Sequence, residues 1–291
     1  MPSRRKRQLY VLCDMEGASG ISPANREAMR HGSDLWRAEG RGLVTSDVAA
    51  VCSAAQHFGI EEIILNDSHD YGVREPNVLL KQLPGNVRLV RRPYLPGKPR
   101  KMVRGEPYGI VIVGQHARYG GGGFAPHTIQ SPPIGVVTLN GTEVGEIGLE
   151  LALFMRAPLL AVIGEEAAVA EARALCPGVV GVPVKSLARD WFPSAGETAP
   201  VIREGVLDAL RRRDEMHGLE LKPPFRFTLA PATGHRFNPE RRFFTRWLAR
   251  LILLRLSRGK MCERGASWET RTIVGGLYAL HSARGFIEKA G

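Results

Sequence analysis

Three apolar, strand-like runs share one design, and this design constrains the fold more than any other feature of the chain. Each run is followed at once by acidic or histidine side chains. The runs are LYVLCDMEG at 9–17, EIILNDSH at 62–69 and GIVIVGQH at 109–116. In open α/β sheets, ligands bind in the crevice beyond the carboxyl ends of the parallel strands. The three endings therefore predict one shared site at a single edge of a sheet.

The segments around these runs predict an α/β fold. After a buried strand at 8–14, Thr45 is placed to cap a helix that Gly59 would end, and a second strand follows at 63–66. A right-handed βαβ unit is the expected assembly. Strands and helices alternate to about Lys185, so we predict a three-layer sandwich around a mostly parallel sheet.

The later part of the chain contains turn and break signals that suggest a second unit. Asn140 and Gly141 are the strongest hairpin signal, and a helix is predicted at 200–213. The Pro-Pro pair at 223–224 is a break in the pattern. We therefore predict an α/β metal-binding domain at 1–222 and a smaller, divergent α+β unit at 223–291.

The composition favours a globular protein of a reducing compartment. Hydrophobic residues make up 44% of the chain, which is typical of globular domains. The four cysteines form no C-x-x-C pair, which argues against a disulfide framework and a thiolate zinc site and favours the cytoplasm. No long apolar segment follows the basic residues at 4–7, so we predict neither an export signal nor a membrane span.

The formal net charge of +11 favours anionic partners. The basic residues are concentrated at 4–7, 88–104 and 236–264, and the recognised nucleic-acid-binding motifs are missing from the sequence. We therefore predict no specific nucleic-acid partner and interpret the charge as a solvated basic surface.

One segment of the second unit, PERRFFTRWLARLILLRLS at 239–257, predicts a basic amphipathic helix. Its aromatic and aliphatic residues fall on one side and its arginines on the other. Packing against the protein's own core or a sister subunit is the first interpretation. Weak contact with an anionic membrane surface is the second.

Five side chains form the candidate metal-binding set: Asp14, Glu16, His69, His116 and Glu146. Carboxylates and imidazoles suit zinc, manganese or iron and do not suit calcium or an iron–sulfur cluster. Five ligands exceed the needs of one structural zinc. With one bridging carboxylate they could hold two ions about 3.5–4 Å apart, which polarise a carbonyl and activate water. Asp14 is our choice for the bridge, because the residue that ends the first strand can face the centre of the cleft.

Four motifs of the chain resemble those of a known family. They are DMEGASGI from Asp14, NDSH from Asn66, GQHAR from Gly114, and NG followed by VGEIGL from Val144. Their order and spacing are similar to the zinc-dependent D-aminopeptidases, first described as dipeptide transport proteins. The resemblance covers residues 8–185 and is more specific than any single motif.

The resemblance implies two zinc ions that share Asp14, with Glu16, His69, His116 and Glu146 completing their ligands. It also implies that His127 is the catalytic histidine, for which we prefer proton relay over nucleophilic attack. Further expectations are orientation of the ligands by Asn66 and Asp67, and contact of Arg118 with substrate or a neighbouring loop. Local turn hydrogen bonds explain these three residues equally well.

The function predicted from these features is a dinuclear metallo-aminopeptidase, with 1–222 as its catalytic domain. It would remove N-terminal residues, D-alanine among them, from short peptides. The resemblance also implies a homo-oligomer in the form of a ring. The alternatives are a metal-dependent amidohydrolase or esterase acting on another substrate, and an inactive homologue that binds peptides.

Overall fold

The structure, a computed structural model, describes residues 6–72, 75–90, 98–129, 133–238, 240 and 259–290. Apart from position 240, the helix predicted at 239–257 lies outside these residues, so its packing and its membrane contact stay predictions. The described helices are, in chain order, α1 Arg41–Phe58, α2 Lys98–Met102, α3 Glu146–Leu153, α4 Glu166–Leu175, α5 Ala195–Arg211 and α6 Ile273–Arg284.

The strands of the described chain fall into one parallel and two antiparallel sheets. In chain order they are β1 Gln8–Cys13, β2 Glu62–Asp67, β3 Val87–Val90, β4 Gly109–Gln115, β5 Ile134–Leu139, β6 Thr142–Glu143, β7 Leu159–Glu165, β8 Val180–Lys185, β9 Phe225–Pro231, β10 His235–Phe237, β11 Lys260–Cys262, β12 Gly265–Thr270 and β13 Ile287–Lys289.

The described residues belong to two compact units. The first comprises Met1–Ala117, Gly123–Ala125 and Phe154–Leu219. The second comprises Arg118–Gly122, Pro126–Leu153 and Glu220–Gly291. Residues 126–153 thus group with the C-terminal residues in the second unit. The domains predicted at 1–222 and 223–291 stay a prediction.

The first unit contains the predicted parallel sheet. Its strands, as described, run in the order β3-β2-β1-β4-β7-β8, and every pairing between neighbours is parallel. Strand β1 is buried along its whole length because it lies in the middle of the sheet with both faces covered. A strand of this kind needs a continuous apolar run, which is the pattern at 9–13.

Helices cover both faces of this sheet, as the three-layer prediction requires. On β8, Val182 and Val184 join the core that contains the apolar faces of α1 and α5. Gly181, which points the opposite way, lies against Val169 and Arg173 of α4. Since neighbouring residues of one strand face different helices, the sheet is the middle layer of three. The α/β fold class is confirmed.

Two helix starts differ from prediction. Helix α1 begins at Arg41, after a π-helical turn at Trp36–Gly40, and Thr45 lies inside it as a donor to the carbonyl of Arg41. Helix α5 begins at Ala195 because Ser194 caps it, and its Pro200 lies in the second turn instead of at the start. The Ser-x-x-Glu capping box at 194–197 was the missed signal.

The second unit is built on an antiparallel sheet with the order β11-β12-β9-β5-β6 within the described residues. Asn140 and Gly141 both have positive φ (51° and 89°), the conformation of a tight hairpin turn, which confirms the predicted hairpin between β5 and β6. Helix α6 packs on this sheet, where Trp268 stacks on Phe227 and donates from Nε1 to the carbonyl of Gly276. Strands β9, β11 and β12 with helix α6 agree with the α+β class that the sequence predicted for the C-terminal part.

Within the described residues, every helix is too short or too polar to cross a membrane.

Candidate metal centre

The three acid- or histidine-terminated runs lie side by side in the first unit. Strand β1 pairs with β2 on one side and β4 on the other, with Cys13 opposite both Asp67 and Val113. Residues just beyond these positions therefore come to the same edge of the sheet. Asp14 directly follows β1 and His116 directly follows β4. The structure thus confirms that the three strand ends meet.

Four of the predicted ligands meet at this edge and are called here the metal cluster: Asp14, Glu16, His69 and His116. The Nδ1 atom of His69 lies 3.1 Å from Oδ1 of Asp14 and 3.0 Å from Oε2 of Glu16. The Nε2 atom of His116 lies 3.6 Å from the other oxygen of Asp14, Oδ2. One carboxylate therefore faces two imidazoles, one on each oxygen.

The second nitrogen of each imidazole is held by a backbone carbonyl. His69 Nε2 is 2.6 Å from the carbonyl of Met29, and His116 Nδ1 is 2.8 Å from the carbonyl of Ala117. Because a carbonyl only accepts, each of these nitrogens carries the proton. In the neutral rings, the nitrogens that face Asp14 then hold lone pairs, as in metal-ligating histidines.

The donor set fits a divalent metal. Zinc binds nitrogen and oxygen ligands at about 2.0–2.2 Å, which places tetrahedral neighbours about 3.3–3.6 Å apart. One ligand atom each from Asp14, Glu16 and His69 lie within 4.8 Å of one another. Two carboxylates facing the lone pair of an imidazole repel one another unless a cation or a proton lies between them. Both the chemistry and the spacing of the cluster therefore suit a metal ion.

Protonation substitutes for that cation in the metal-free cluster. Burial opposes the charge on Glu16, but the charge and hydrogen bond of His69 hold the pKa of Glu16 well below its usual value. Burial likewise opposes the charge on His69, but Glu16 and Asp14 raise the pKa of the imidazole well above its usual value. His69 thus lowers the pKa of Glu16, and Glu16 raises the pKa of His69. The proton on His69 and a metal ion therefore compete for the same position between the two side chains.

Two further residues hold the ligands through hydrogen bonds, and the sequence analysis did not identify them. Gln115 donates from Nε2 to Oδ2 of Asp14 over 3.3 Å. Asn77 donates to both oxygens of Asp67 and, over 3.0 Å, to the carbonyl of His69. Gln115 was visible within the GQHAR motif, but Asn77 lies in a segment with no pattern.

The two predicted orienting residues occupy different surroundings. Asp67 is linked through Asn77 to the backbone of His69, and burial raises the pKa of its carboxyl despite those hydrogen bonds. Asn66 donates to the hydroxyl of Tyr10 over 3.0 Å. Their roles at the site stay predictions.

The remaining predicted site residues belong to the second unit. Glu146 is the first residue of α3 and accepts from the backbone N–H of Ile129 over 2.9 Å. A ligand atom of His127 lies within 4.8 Å of one of Glu146. Burial and Arg284 lower the pKa of His281 on α6 to about 4, against the opposing charge of Glu146. The carboxylate of Glu146 thus lies close to the imidazole of His127, and its charge acts on that of His281.

Arg118 is held within the second unit by an ion pair. Its Nη2 lies 2.8 Å from Oε2 of Glu143, and its Nη1 donates to the carbonyl of Tyr119 over 3.0 Å. The next residue, Tyr119, donates its backbone N–H to the hydroxyl of Thr128, beside His127. Contact of Arg118 with substrate stays a prediction.

Comparison with known proteins gives one consistent family. A peptidase family model described as D-aminopeptidase matches residues 8–236. A D-aminopeptidase of Bacillus subtilis (strain 168) is 28% identical over 233 residues, which are 77% of this chain and 80% of that protein. The solved structure of the Zn-dependent D-aminopeptidase DppA from Bacillus subtilis, a self-compartmentalizing protease, is similar in fold, with a TM-score of 0.79 at 22% identity. That match covers 96% of this chain and 97% of the other.

Proposed function

The chain belongs to the D-aminopeptidase family, a family of metallo-aminopeptidases, and from this premise we propose that it uses two zinc ions to release N-terminal D-residues from short peptides. The observation that carries the proposal is the metal cluster. Both of its imidazoles are fixed by backbone carbonyls and face one shared carboxylate, Asp14. Among the N-terminal residues that could be released, D-alanine is the first candidate.

We assign Asp14 as the bridge between the two ions. Its oxygens face different histidines, His69 from Oδ1 and His116 from Oδ2. Glu16 and His69 would complete one set of ligands. His116 and Glu146 are assigned to the other set, and both lie within the residues 8–236 that the family model matches.

Zinc bound by these residues supplies Lewis-acid polarisation of the scissile carbonyl and an activated water. The chain's own contribution is to fix its ligands and to move protons. We assign proton relay to His127, because relay needs an imidazole near the activated water, and His127 comes within 4.8 Å of Glu146, a proposed ligand. Asn66 and Asp67 are assigned to support of the ligands, and Arg118 to the substrate side.

Assembly and location belong to the same proposal. The structurally similar Bacillus protein is described as self-compartmentalizing, which supports a homo-oligomer, and we propose a ring. The scattered cysteines support a reducing compartment, the cytoplasm.

The first experiment measures metal content together with stereospecific release. We expect about two zinc ions per chain, release of D-alanine from D-Ala-D-Ala, and loss of that release with a chelator. L-Ala-L-Ala tests the stereochemical preference, and N-acetyl-D-Ala-D-Ala tests the need for a free amine. Two ions without release from either free peptide would overturn the substrate assignment, and a metal-free chain would overturn the proposal as a whole.

A second experiment tests the role of His127. We expect His127→Ala to keep its zinc while turnover falls by about 10²–10⁴-fold, because only proton transfer is removed. His57→Ala is the control, since His57 lies in the last turn of α1 and has no assigned role at the site. Loss of both ions in His127→Ala would show that the residue is a ligand instead.

A further inference from the structure

Lys185, the last residue of β8, is fully buried and reaches the turn that carries Glu16. Its ammonium donates to the carbonyl of Glu16 over 2.7 Å and to the carbonyl of Ile21 over 2.7 Å. Phe124 lies on another side, with its ring centroid 5.0 Å from Nζ. The ammonium therefore closes the turn at 16–21 from within.

Two buried carboxylates compensate this charge, and with Lys185 they form what we call the lysine cluster: Lys185, Asp47 and Glu165. Burial lowers the pKa of Lys185 to about 7, against the opposing charges of Asp47, Glu165 and Glu16. An ionised lysine in a protein interior is costly unless it is paired and hydrogen-bonded. For Lys185, Asp47 and Glu165 supply the opposite charge, and the carbonyls of Glu16 and Ile21 supply the hydrogen bonds.

Asp47 holds the same turn from α1. Its Oδ2 accepts from the backbone N–H of Ser19 over 2.8 Å. The hydroxyl of Ser19 in turn lies 2.7 Å from that of Thr198 on α5. Side chains from β8, α1 and α5 thus fix the turn at its carbonyls, at an amide and at a hydroxyl.

Glu165, at the carboxyl end of β7, fixes a second segment. Its carboxylate accepts from the backbone N–H groups of Phe124 and Leu187. Gly123 has a φ of +84°, and a Cβ at this position would overlap the Glu165 carboxylate. The segment 123–125 therefore depends on a glycine and a buried acid, and His127 follows two residues later in the chain.

We propose that Lys185 is a positioning residue for metal binding: by holding the carbonyls of Glu16 and Ile21, its ammonium sets the direction in which the Glu16 carboxylate is presented to the metal. The inference rests on the proposed function, because it takes Glu16 as a ligand. Sequence patterns gave Lys185 no role. Its two acceptors lie 169 and 164 positions away along the chain.

The test compares zinc affinities of the metal-free, full-length protein and its variants, measured by competition with a chromophoric chelator. Lys185→Met keeps the length of the side chain and removes the donors and the charge. We expect its zinc affinity to fall about 10- to 100-fold, the usual effect of losing a group that orients a ligand. The visible spectrum of the cobalt-substituted protein should change as well, because the ligand geometry changes.

Val184→Ala is the matched control. Val184 is the preceding residue of β8, is fully buried and belongs to the apolar core. The Val184→Ala substitution should lower the free energy of unfolding, while zinc affinity and the cobalt spectrum stay as in the wild type. Lys185→Arg, which keeps charged donors, should restore part of the affinity lost in Lys185→Met.

The outcomes separate this inference from the proposed function. If the wild-type chain binds no zinc, the proposed function fails. If the wild type binds zinc and Lys185→Met binds it equally well, or if Val184→Ala loses as much affinity, only the positioning role is overturned. Lys185→Leu, which also removes the donors and the charge, takes the place of Lys185→Met if that variant does not fold, with the same two outcomes.

Discussion

The metal cluster and the lysine cluster are both buried groups of ionisable side chains in the first unit, but they differ in the source of their cation. In the lysine cluster the cation is Lys185, whose ammonium donates to two backbone carbonyls. In the metal cluster the carboxylates of Asp14 and Glu16 face the nitrogen of one imidazole. Its cation is therefore either a proton on His69 or an ion from solution.

This difference distinguishes a structural cluster from a binding site. A buried carboxylate needs a compensating charge in either case. Where the chain itself supplies that charge through a side chain with fixed hydrogen bonds, no ion from solution is needed. Where the charge is a proton on an imidazole whose other nitrogen is already held, a metal can replace it.

Asp14→Asn should have the largest effect. Both oxygens of Asp14 face imidazoles, and an amide has less charge and a single acceptor oxygen. We expect metal content to fall from about two ions to near zero, and peptide release to fall at least about 10³-fold. Elemental analysis and turnover of D-Ala-D-Ala measure the two effects.

The matched control for this variant is Asp34→Asn. The side chain of Asp34 is fully exposed and forms an ion pair with the surface residue Arg37 over 3.7 Å. It should leave metal content and turnover unchanged. Full zinc retention in Asp14→Asn would overturn the assignment of Asp14 as the ligand shared by the two ions.

Zinc binding should also depend on pH through His69. Because the pKa of His69 is raised above its usual value, the metal-free protein holds this proton at neutral pH, and zinc must displace it. Affinity should rise about tenfold per pH unit below that pKa, with about one proton released from His69 at pH 7. Calorimetric titration in two buffers of different ionisation enthalpy counts the released protons.

His69→Gln sharpens the same measurement. Glutamine can keep a polar contact with Met29 or with the carboxylates, but it carries no exchangeable proton near pH 7. Its zinc binding should be weaker, with about one fewer proton released. Equal proton release from the wild type and the variant would assign the displaced proton to another group.

Much of the metal cluster could be predicted from sequence because its signal is local. An apolar run that stops at Asp14 or His116 specifies both the strand and the residue at its end. Parallel pairing then brings the ends together without further information. The α/β class and the hairpin at Asn140 were predictable for the same reason, since each depends on neighbouring residues.

The lysine cluster could not be predicted because its partners are distant in the chain. Lys185 ends an apolar strand, where a lysine is usually solvated, and only tertiary structure places it under the turn at 16–21. Asn77 was missed for the same reason. The grouping of 126–153 with the C-terminal residues also depends on tertiary pairing, because β5 pairs with β9.

Asn77→Ala should have an intermediate effect. It removes the hydrogen bonds that Asp67 and the carbonyl of His69 receive, and it leaves buried acceptors unpaired. We expect a loss of about 2–4 kcal/mol in the free energy of unfolding and about tenfold weaker zinc binding. Urea unfolding of the metal-free protein and chelator competition measure the two quantities.

Asn86→Ala is the comparison for Asn77→Ala. Asn86 is half-buried just before β3, at the end of the sheet away from the metal cluster, and it donates to the carbonyl of Ile60. Asn86→Ala should lower the free energy of unfolding by no more than about 1 kcal/mol and leave zinc affinity unchanged. Equal zinc affinity in Asn77→Ala and the wild type would show that Asn77 supports the fold without orienting His69.

Asp47→Asn should affect zinc binding least, because an asparagine oxygen can still accept from Ser19. Burial raises the pKa of Asp47 from 3.8 to about 6, so in this window the folded protein binds a proton that the unfolded chain has lost. The stability of the wild type relative to the variant should therefore fall by up to about 3 kcal/mol as pH rises from 4 to above 6. Urea unfolding of both metal-free proteins across this range measures the difference, and zinc affinity should change less than about threefold. A stability difference that does not vary with pH would mean that Asp47 keeps its charge throughout, and the lysine cluster would then be a fixed ion pair.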